Sequence, residues 1–255
     1  MAFDGGARGR ARINFLGLDF SGFDLDQATD AVAARASLDG AFAYVVTPNV
    51  DHVVGLSAEP ARRVLYEHAW LTLNDSSILR RLGKRVGLQL PVATGADLAE
   101  RLFDTVIDRR EPITIIGGDK AMIEDLKRRY ALDDVRWHRA PMGLRHNAEA
   151  VVKAAAFAAA QPSRFTFICV GAPQQELIAY AIAQRGDAVG VGLCIGAALE
   201  FLSGKTQRAP AWMRATGLEW LYRLACEPRR LWKRYLVTGP KIFSLFAAWR
   251  AAMAA

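Results

Sequence analysis

The chain alternates between short apolar runs and amphipathic segments of helical period. The runs lie at residues 42–46, 71–73, 113–117, 165–170 and 189–195, with further strand patterns at 13–20 and 135–138. The run at 42–46 is uninterrupted, which is typical of a strand buried on both faces of a parallel sheet. Strands that alternate with helices predict an α/β fold, with a mostly parallel sheet covered by helices on both faces.

Polar residues follow two of the predicted strands. Thr47 and Asn49 come after the run at 42–46, and Asp75 comes after the run at 71–73. Ligands bind at the carboxyl ends of strands in open α/β sheets, which makes these residues candidates for a binding site. Helix capping explains the same residues, since Asn49, Asp75 or the serines after Asp75 could each cap the following helix. The pattern alone leaves both interpretations open.

Glycines mark two further strand–helix turns. Gly117 and Gly118 follow one apolar run, and Gly171 follows another, with Gln175 and Glu176 at the entrance of the next helix. Such turns let backbone N–H groups approach a phosphate. A dinucleotide-binding protein without transfer chemistry is the alternative, but its Gly-x-Gly-x-x-Gly pattern does not follow the run at 42–46.

The sequence Asp24-Leu25-Asp26 has two readings. An Asp-x-Asp can hold a divalent cation in a sugar-nucleotide enzyme. Here it precedes a helical pattern, which favours helix capping.

The basic residues are concentrated in the last part of the chain. Residues 204–255 carry ten Lys or Arg and two acids, a net charge of +8, whereas the whole chain is +7. Four of the six tryptophans also lie there. An anionic membrane surface and nucleic acid are the two partners that suit such a segment. Polar clusters at several strand ends favour the membrane, and a helical face packed on the protein itself is the third reading.

A stripe in residues 241–252 raises the same question. One helical face carries Ile242, Leu245, Phe246 and Trp249. Lys241 and Arg250 flank this face, and the pattern resembles an interfacial helix. The alternative is that the stripe docks on the protein's own core or on another subunit, so a homo-oligomer is also compatible with the sequence.

Composition and the absence of long apolar runs indicate the cellular compartment. No apolar run reaches the roughly 18 residues that span a bilayer, and no secretory h-region precedes the first strand. The three cysteines have no metal or disulfide spacing, so we interpret them as packing residues of a protein in a reducing cytoplasm. We expect residues 1–11 to be disordered.

Several motifs together resemble one family. They are Thr47-Pro48-Asn49-Val50-Asp51-His52, the Asp75 cluster, Gly-x-Pro-x-Gln-Glu at 171–176, and Leu-Glu-Trp-Leu-Tyr-Arg-Leu at 218–224 within the basic segment. Over residues 12–236 the chain is similar to the WecG/TagA/CpsF glycosyltransferases, and the last two motifs are highly specific in combination.

The resemblance implies a function. Members transfer a sugar from a UDP-sugar to a polyprenyl-diphosphate-linked saccharide at the cytoplasmic face of the membrane, for teichoic acid, common antigen or exopolysaccharide. It implies inversion, no required metal or other cofactor, and a Rossmann-like core at 12–203. Residues 204–255 would form a helical appendage that completes the site near the membrane. N-acetylmannosamine, its uronic acid, glucose and glucuronic acid are all donor sugars that suit this family.

The resemblance also implies roles. Asp75 matches the proposed catalytic base, and Thr47, Asn49 and Gln175 match polar active-site residues. Glu200 stands where many members have Asp near the nucleotide. Without a metal, Arg or Lys must stabilise the charge on the leaving UDP. The predicted substrate-binding residues are Gly117, Gly118, Gly171, Glu176, Glu200, Arg214, Arg223, Arg229, Arg230 and Arg234.

Two positions depart from the family pattern. Ser76 stands where many members have Gly, which leaves the base intact. Val92 stands where many have Arg, which removes one contact to phosphate or sugar. Arg80, Arg81 and Lys84 are the candidates to replace it.

Overall fold

The computed structural model describes residues 12–141 and 143–254. The predicted disorder of residues 1–11 lies outside these ranges. The strands are β1 (Arg12–Phe15), β2 (Leu18–Ser21), β3 (Ala43–Val46), β4 (Leu71–Thr72), β5 (Ile113–Gly117), β6 (Val135–His138), β7 (Phe165–Cys169) and β8 (Val191–Cys194). The helices are α1 (Leu25–Arg35), α2 (Val50–Ala58), α3 (Val64–Glu67), α4 (Ser77–Lys84), α5 (Gly95–Thr105), α6 (Lys120–Tyr130), α7 (Ala148–Ala159), α8 (Gln174–Arg185), α9 (Ala198–Leu202), α10 (Ala211–Thr216), α11 (Glu219–Cys226), α12 (Pro228–Trp232) and α13 (Lys241–Ala254). Short 3₁₀ turns at Pro60–Arg63 and Leu144–His146 and a π-helical turn at Lys233–Thr238 complete them.

Strands β3 to β8 form one parallel sheet. Their order is β4-β3-β8-β7-β5-β6 within the described residues, and every pairing is parallel. The carboxyl ends of all these strands therefore lie at one edge. The predicted α/β, Rossmann-like class is confirmed.

Successive residues of each central strand pack on opposite faces of the sheet. Tyr44 and Val46 of β3 join the apolar cluster that includes α2, α7 and α8, whereas Val45 joins the one that includes α1, α5 and α6. Since both faces are covered, nearly every side chain of β3, β5, β7 and β8 is buried, and Ala43 and Cys169 at strand ends are partly buried. This is why these strands are mostly apolar runs rather than alternating ones.

The first strand pattern is a hairpin instead. Strands β1 and β2 pair antiparallel around Leu16 and Gly17, both at positive φ. A two-residue turn of this kind matches the twist of its strands. Because Leu16 is apolar, the alternation continues through the turn, and residues 13–20 looked like one strand.

Capping accounts for the Asp-x-Asp motif. Asp24 caps α1 in a reciprocal capping box with Gln27. Asp26 pairs with Arg101 of α5, with 2.6 Å between Arg101 Nη1 and Asp26 Oδ1. The capping interpretation is confirmed.

The apolar stripe of α13 packs on the core. Ile242 and Phe246 are buried in the cluster below the sheet, and Leu245 and Trp249 pack against it. The ring of Phe15 lies 6.1 Å from that of Phe246 and 5.3 Å from that of Trp249. The interpretation of this stripe as a membrane face is therefore wrong, and the alternative of docking on the protein's own core is confirmed.

One cysteine assignment also changes. All three thiols are free, and Cys194 is buried and Cys169 partly buried, as packing residues should be. Cys226 is exposed on α11, so its interpretation as a packing residue is wrong. Among the described residues, no helix is long and apolar enough to cross a bilayer. The boundary at residue 204 stays a prediction.

Candidate active site

Thr47 lies where β3 meets β8. Its Oγ1 donates to the carbonyl of Cys194 across 3.0 Å, which ties the carboxyl ends of the two strands together. Gly95, the first residue of α5, lies against it. A Cβ at Gly95 would be 2.9 Å from Thr47 Oγ1, so the close approach of α5 to this edge requires glycine.

Asp75 follows β4 at the same edge. Its N–H donates to the carbonyl of Pro48 across 3.0 Å, which places it beside the loop after β3. Ser76, one of the predicted capping candidates, caps α4 by accepting from the N–H of Leu79. The capping role therefore falls to Ser76, and the carboxyl group of Asp75 is not needed for it.

The surroundings of Asp75 suit a base. Burial, aided by the nearby carboxylate of Glu219, raises the pKa of Asp75 to about 7. Arg223 lowers it, Asp97 raises it and Arg234 lowers it. A carboxyl group with this pKa is about half ionised at neutral pH, which is the range in which a general base works best.

Asn49 has a structural role and a second partner. It caps α2, with Oδ1 accepting from the N–H of Asp51 across 3.1 Å. The same oxygen accepts from Nη2 of Arg234 across 3.3 Å, and Arg234 Nε lies 3.4 Å from Asp51 Oδ2. The capping interpretation is thus confirmed for Asn49, and an arginine of the basic segment reaches the same group.

Gln175 and Glu176 lie in the first turn of α8, and both are buried. The Oε1 of Gln175 accepts from the N–H of Gly196 across 2.8 Å, and its Nε2 donates to Oε1 of Glu176 across 2.8 Å. Gly196 directly follows the β8 region to which Thr47 is bonded. The structure therefore brings Gln175 to the same edge as Thr47, while the side chain of Glu176 lies beneath it.

The glycine turn after β5 is tightly packed. Gly117 and Gly118 both have positive φ. A Cβ at Gly117 would be 2.7 Å from Cγ1 of Val170, so the turn requires glycine there. Asp119 caps α6 and pairs with Lys205, which holds the pKa of Asp119 below its usual range. Gly171, with φ +74°, makes the corresponding turn after β7.

Two of the five predicted arginines act electrostatically on Asp75. They are Arg223 and Arg234, whose charges lower its pKa. The guanidinium of Arg223 also lies over the ring of Phe201, 5.6 Å from its centroid. These two arginines are the ones placed to meet charge that develops beside Asp75.

The other three predicted arginines do not act on Asp75 in this way. Arg214 lies 3.4 Å from Oδ1 of Asp97. Arg230 makes two hydrogen bonds to Glu227, within its own helix turn, and Arg229 is exposed. Their assignment to the diphosphate stays a prediction.

Glu200 lies on α9, and a cleft opens beside this helix. The cleft has a volume of about 350 Å³ and is lined by residues of α5, α6, α9 and the following segment, namely Ala96, Glu100, Arg129, Phe201, Leu202, Gly204, Thr206, Gln207 and Arg208. This volume is in the lower part of the range of small-molecule sites. Within the described residues, no three His, Cys, Asp or Glu side chains are grouped so that they could hold a metal ion.

Comparison with known sequences decides the family. The model described as "Glycosyl transferase WecG/TagA/CpsF family" matches residues 13–254. The chain belongs to this glycosyltransferase family.

Two curated relatives have the same name, N-acetylglucosaminyldiphosphoundecaprenol N-acetyl-beta-D-mannosaminyltransferase. The one from Bacillus subtilis (strain 168) is 29% identical over 213 residues, 83% of this chain and 77% of the relative. The one from Bacillus spizizenii is 28% identical over 197 residues, 76% of this chain and 75% of the relative. Both similarities therefore extend over most of each chain.

Sequence reasoning did not single out several residues that contact or act on the candidate site residues. Asp97 accepts from Thr94 across 2.6 Å and pairs with Arg208 across 2.7 Å, which joins α5 to the basic segment. Glu219 acts electrostatically on Asp75, and His52 lies beside Asn49. An acid facing a basic segment was the available signal for Asp97, but only the tertiary structure shows which arginine it meets.

Arg81 also has a partner in the basic segment. Its Nη2 donates to the carbonyl of Thr216 across 2.5 Å. Gly217 packs on Ser77, where a Cβ would be 2.3 Å from the serine Oγ. Arg81 therefore holds α10 against α4. Arg80 and Lys84, the other two candidates to replace the arginine absent at Val92, do not make this contact.

Proposed function

We propose that this chain transfers a sugar from a UDP-sugar to a saccharide carried on polyprenyl diphosphate, with inversion at the anomeric carbon. The observation that carries the proposal is Asp75, whose carboxyl group has a pKa of about 7 at the edge where Thr47, Asn49 and Gln175 meet. The names of the two relatives support an acceptor carried on polyprenyl diphosphate, since both name a sugar linked to undecaprenyl diphosphate.

The transfer needs a base on the acceptor. The carboxylate of Asp75 removes the proton from the acceptor hydroxyl as that oxygen attacks the anomeric carbon. The bond from the anomeric carbon to UDP breaks, and its electron pair leaves on the terminal phosphate oxygen of UDP. Attack opposite the leaving group inverts the anomeric centre. A general base of this kind contributes roughly 10²–10⁴-fold to the rate.

The leaving UDP needs positive charge. In this proposal the guanidinium groups of Arg223 and Arg234 stabilise the negative charge that develops on the diphosphate. The turns at Gly117 and Gly171 precede α6 and α8, so backbone N–H groups at these helix ends can bind phosphate oxygens. Thr47, Asn49 and Gln175 would orient the donor sugar from below. No step requires a metal ion.

The acceptor's lipid implies a membrane surface, and exposed residues of the basic segment suit one. Trp232, Leu236 and Val237 are exposed on α12 and the π-helical turn, with the exposed Arg229 three residues before Trp232 and Lys233 directly after it. Aromatic, aliphatic and basic side chains together favour the interface of an anionic bilayer. We therefore propose a peripheral enzyme on the cytoplasmic face, acting in the synthesis of exopolysaccharide, common antigen or teichoic acid.

A donor screen tests the proposal. Purified protein is incubated with a short-chain polyprenyl-diphosphate N-acetylglucosamine and a panel of UDP-sugars, and UDP release is measured with and without acceptor. We expect acceptor-dependent release with one N-acetylhexosamine, hexose or hexuronic acid donor, and a product of inverted anomeric configuration by NMR. Retained configuration, or release that ignores the acceptor, would contradict it. Binding to bulk DNA at about 0.1 M salt, in place of anionic vesicles, would favour a nucleic-acid-binding protein.

A further inference from the structure

A buried pair of titratable side chains lies beneath the candidate site. His52 is in the first turn of α2, and Glu176 is in the first turn of α8. Their side chains are 9% and 1% exposed, and 3.7 Å separates His52 Nε2 from Glu176 Oε1. The mechanism above uses neither side chain, and the assignment of Glu176 to substrate binding stays a prediction.

Each member of the pair has one polar atom without a partner. Among the described residues, Nε2 of His52 and Oε2 of Glu176 make no hydrogen bond. Roughly 90% or more of buried polar atoms in proteins are hydrogen-bonded, and leaving one unsatisfied is destabilising. Oε1 of Glu176, at 3.7 Å from Nε2, lies just beyond hydrogen-bonding distance. The two residues are therefore each other's natural partners.

The pair also connects two candidate catalytic amides. His52 Nδ1 lies 2.9 Å from Asn49 Oδ1 and 3.1 Å from Asn49 N. Glu176 Oε1 accepts from Gln175 Nε2 across 2.8 Å, and Gln175 Oε1 in turn accepts from Gly196 N. One chain of contacts thus runs from the end of β3, beneath the site, to the end of β8.

We propose that His52 and Glu176 are positioning residues that act as a unit and fix the orientations of the Asn49 and Gln175 amides. The inference rests on the proposed function, in which those two amides face the donor. Its physical content is that protonation of Glu176 selects the tautomer of His52.

Two arrangements each satisfy one of the Nδ1 contacts. With Glu176 ionised, His52 carries its proton on Nε2 and donates to the carboxylate, while Nδ1 accepts from the Asn49 N–H. When Glu176 takes up a proton, its O–H donates to Nε2, the imidazole proton moves to Nδ1, and Nδ1–H donates to Asn49 Oδ1 in place of accepting from the N–H. His52 is neutral in both, and the second arrangement holds one more proton. Nδ1 has one contact to a donor and one to an acceptor of Asn49, and each tautomer uses one of them.

The electrostatics agree with this geometry. Burial raises the pKa of Glu176 to about 7, since water no longer stabilises the carboxylate. Burial, together with the nearby charge of Arg234, lowers the pKa of His52 to about 3. The other groups that face Glu176 electrostatically are Arg62 of the 3₁₀ turn, Tyr44 of β3, Tyr66 of α3 and Cys194 of β8.

Nitrogen NMR tests the tautomers without any activity. The chain has four histidines, so [¹⁵N]histidine labelling gives few signals, and His52→Gln assigns those of His52. We expect His52 to stay neutral from about pH 5.5 to 8.5, with its two nitrogens exchanging protonated and unprotonated character near the pKa of Glu176. In Glu176→Gln the carboxamide donates to Nε2, so the Nδ1–H tautomer should persist at every pH. A His52 that becomes cationic near pH 6.5, or that ignores Glu176→Gln, would overturn the proposal.

Kinetics then separate positioning from substrate contact and from folding. Glu176→Gln keeps an oxygen for Gln175, so we expect kcat within about threefold of the unsubstituted enzyme. Glu176→Ala should lower kcat by about tenfold or more, with the Kd for UDP unchanged. A changed Kd for UDP would mean that Glu176 contacts the donor. If both variants lost kcat equally and in proportion to a fall in their Tm, the pair would have a structural role only. If no UDP-sugar reacts, the proposed function fails, while the NMR result remains interpretable.

Discussion

Arg234 donates from Nη2 to Oδ1 of Asn49 across 3.3 Å, and this contact joins the basic segment to the end of β3. The two residues are 185 positions apart in the sequence. The guanidinium also acts on Asp75, whose pKa it lowers. The carboxyl-terminal segment is therefore part of the candidate site in the folded chain, as well as the source of its positive charge.

Removal of this guanidinium should slow the reaction. We expect Arg234→Ala to lower kcat/KM by about 10- to 100-fold, because the leaving diphosphate loses one stabilising charge. The measurement is steady-state UDP release. Arg110→Ala is the matched control, since Arg110 is exposed in the loop before the amino end of β5, at the opposite edge of the sheet. A rate for Arg234→Ala within twofold of that control would remove Arg234 from the site.

The pH dependence of the rate should follow Asp75. The pKa of Asp75 is raised to about 7, mainly by burial, and the base is active only when ionised. We therefore expect kcat/KM to rise about tenfold per unit below pH 7 and to level off above it. The other charges that act on this group are those of Glu219, Arg223, Asp97 and Arg234. A profile that stays flat from pH 5.5 to 8.5 would mean that a group with an ordinary carboxyl pKa, or no base, limits the reaction.

The packing of α13 on the core can be measured by two phenylalanines of the same helix. Phe246 is buried against Phe15, whereas Phe243 is 53% exposed. We expect Phe246→Ala to lower the free energy of unfolding by about 3 kcal/mol and Phe243→Ala by less than about 0.5 kcal/mol. Urea denaturation followed by tryptophan fluorescence gives both values. Similar small losses in both variants would show that α13 does not dock.

Membrane attachment should depend on α12 and the π-helical turn instead of on α13. We expect the double variant Trp232→Ser with Leu236→Ser to lose most sedimentation with vesicles of phosphatidylglycerol, because exposed apolar side chains enter the interface. Val152→Ser is the control, since Val152 is as exposed but lies on α7, away from the basic segment. The result would count against this surface if the double variant sedimented like the control.

Much of the sheet could be predicted from the sequence, because runs of mostly apolar residues indicate strands that are buried on both faces. Strands β3, β5, β7 and β8 all lie within such runs. The hairpin at residues 12–21 was hidden, since an apolar Leu16 sits in its turn. The stripe of α13 was visible, but periodicity shows that a face is apolar and not what covers it.

The site could be predicted only one residue at a time. Asp75 and Asn49 stood out as polar residues at strand ends, and family resemblance added roles to them. Their partners could not be read from the chain, because Arg234 and Glu219 meet them across large sequence distances. The burial that sets the pKa values of Asp75 and Glu176 is likewise a property of the packed structure.

The most direct test of the account is Asp75→Asn, with turnover and UDP affinity measured on the same preparation. The folded protein holds the proton of Asp75 more tightly than the unfolded chain, so its ionised form costs stability above pH 7. The variant should therefore be at least as stable as the unsubstituted enzyme at pH 8, and any loss of turnover is not unfolding. We predict that kcat falls by roughly 10²-fold or more while the Kd for UDP stays within about twofold. Turnover near that of the unsubstituted enzyme would contradict the assignment of Asp75 as the catalytic base.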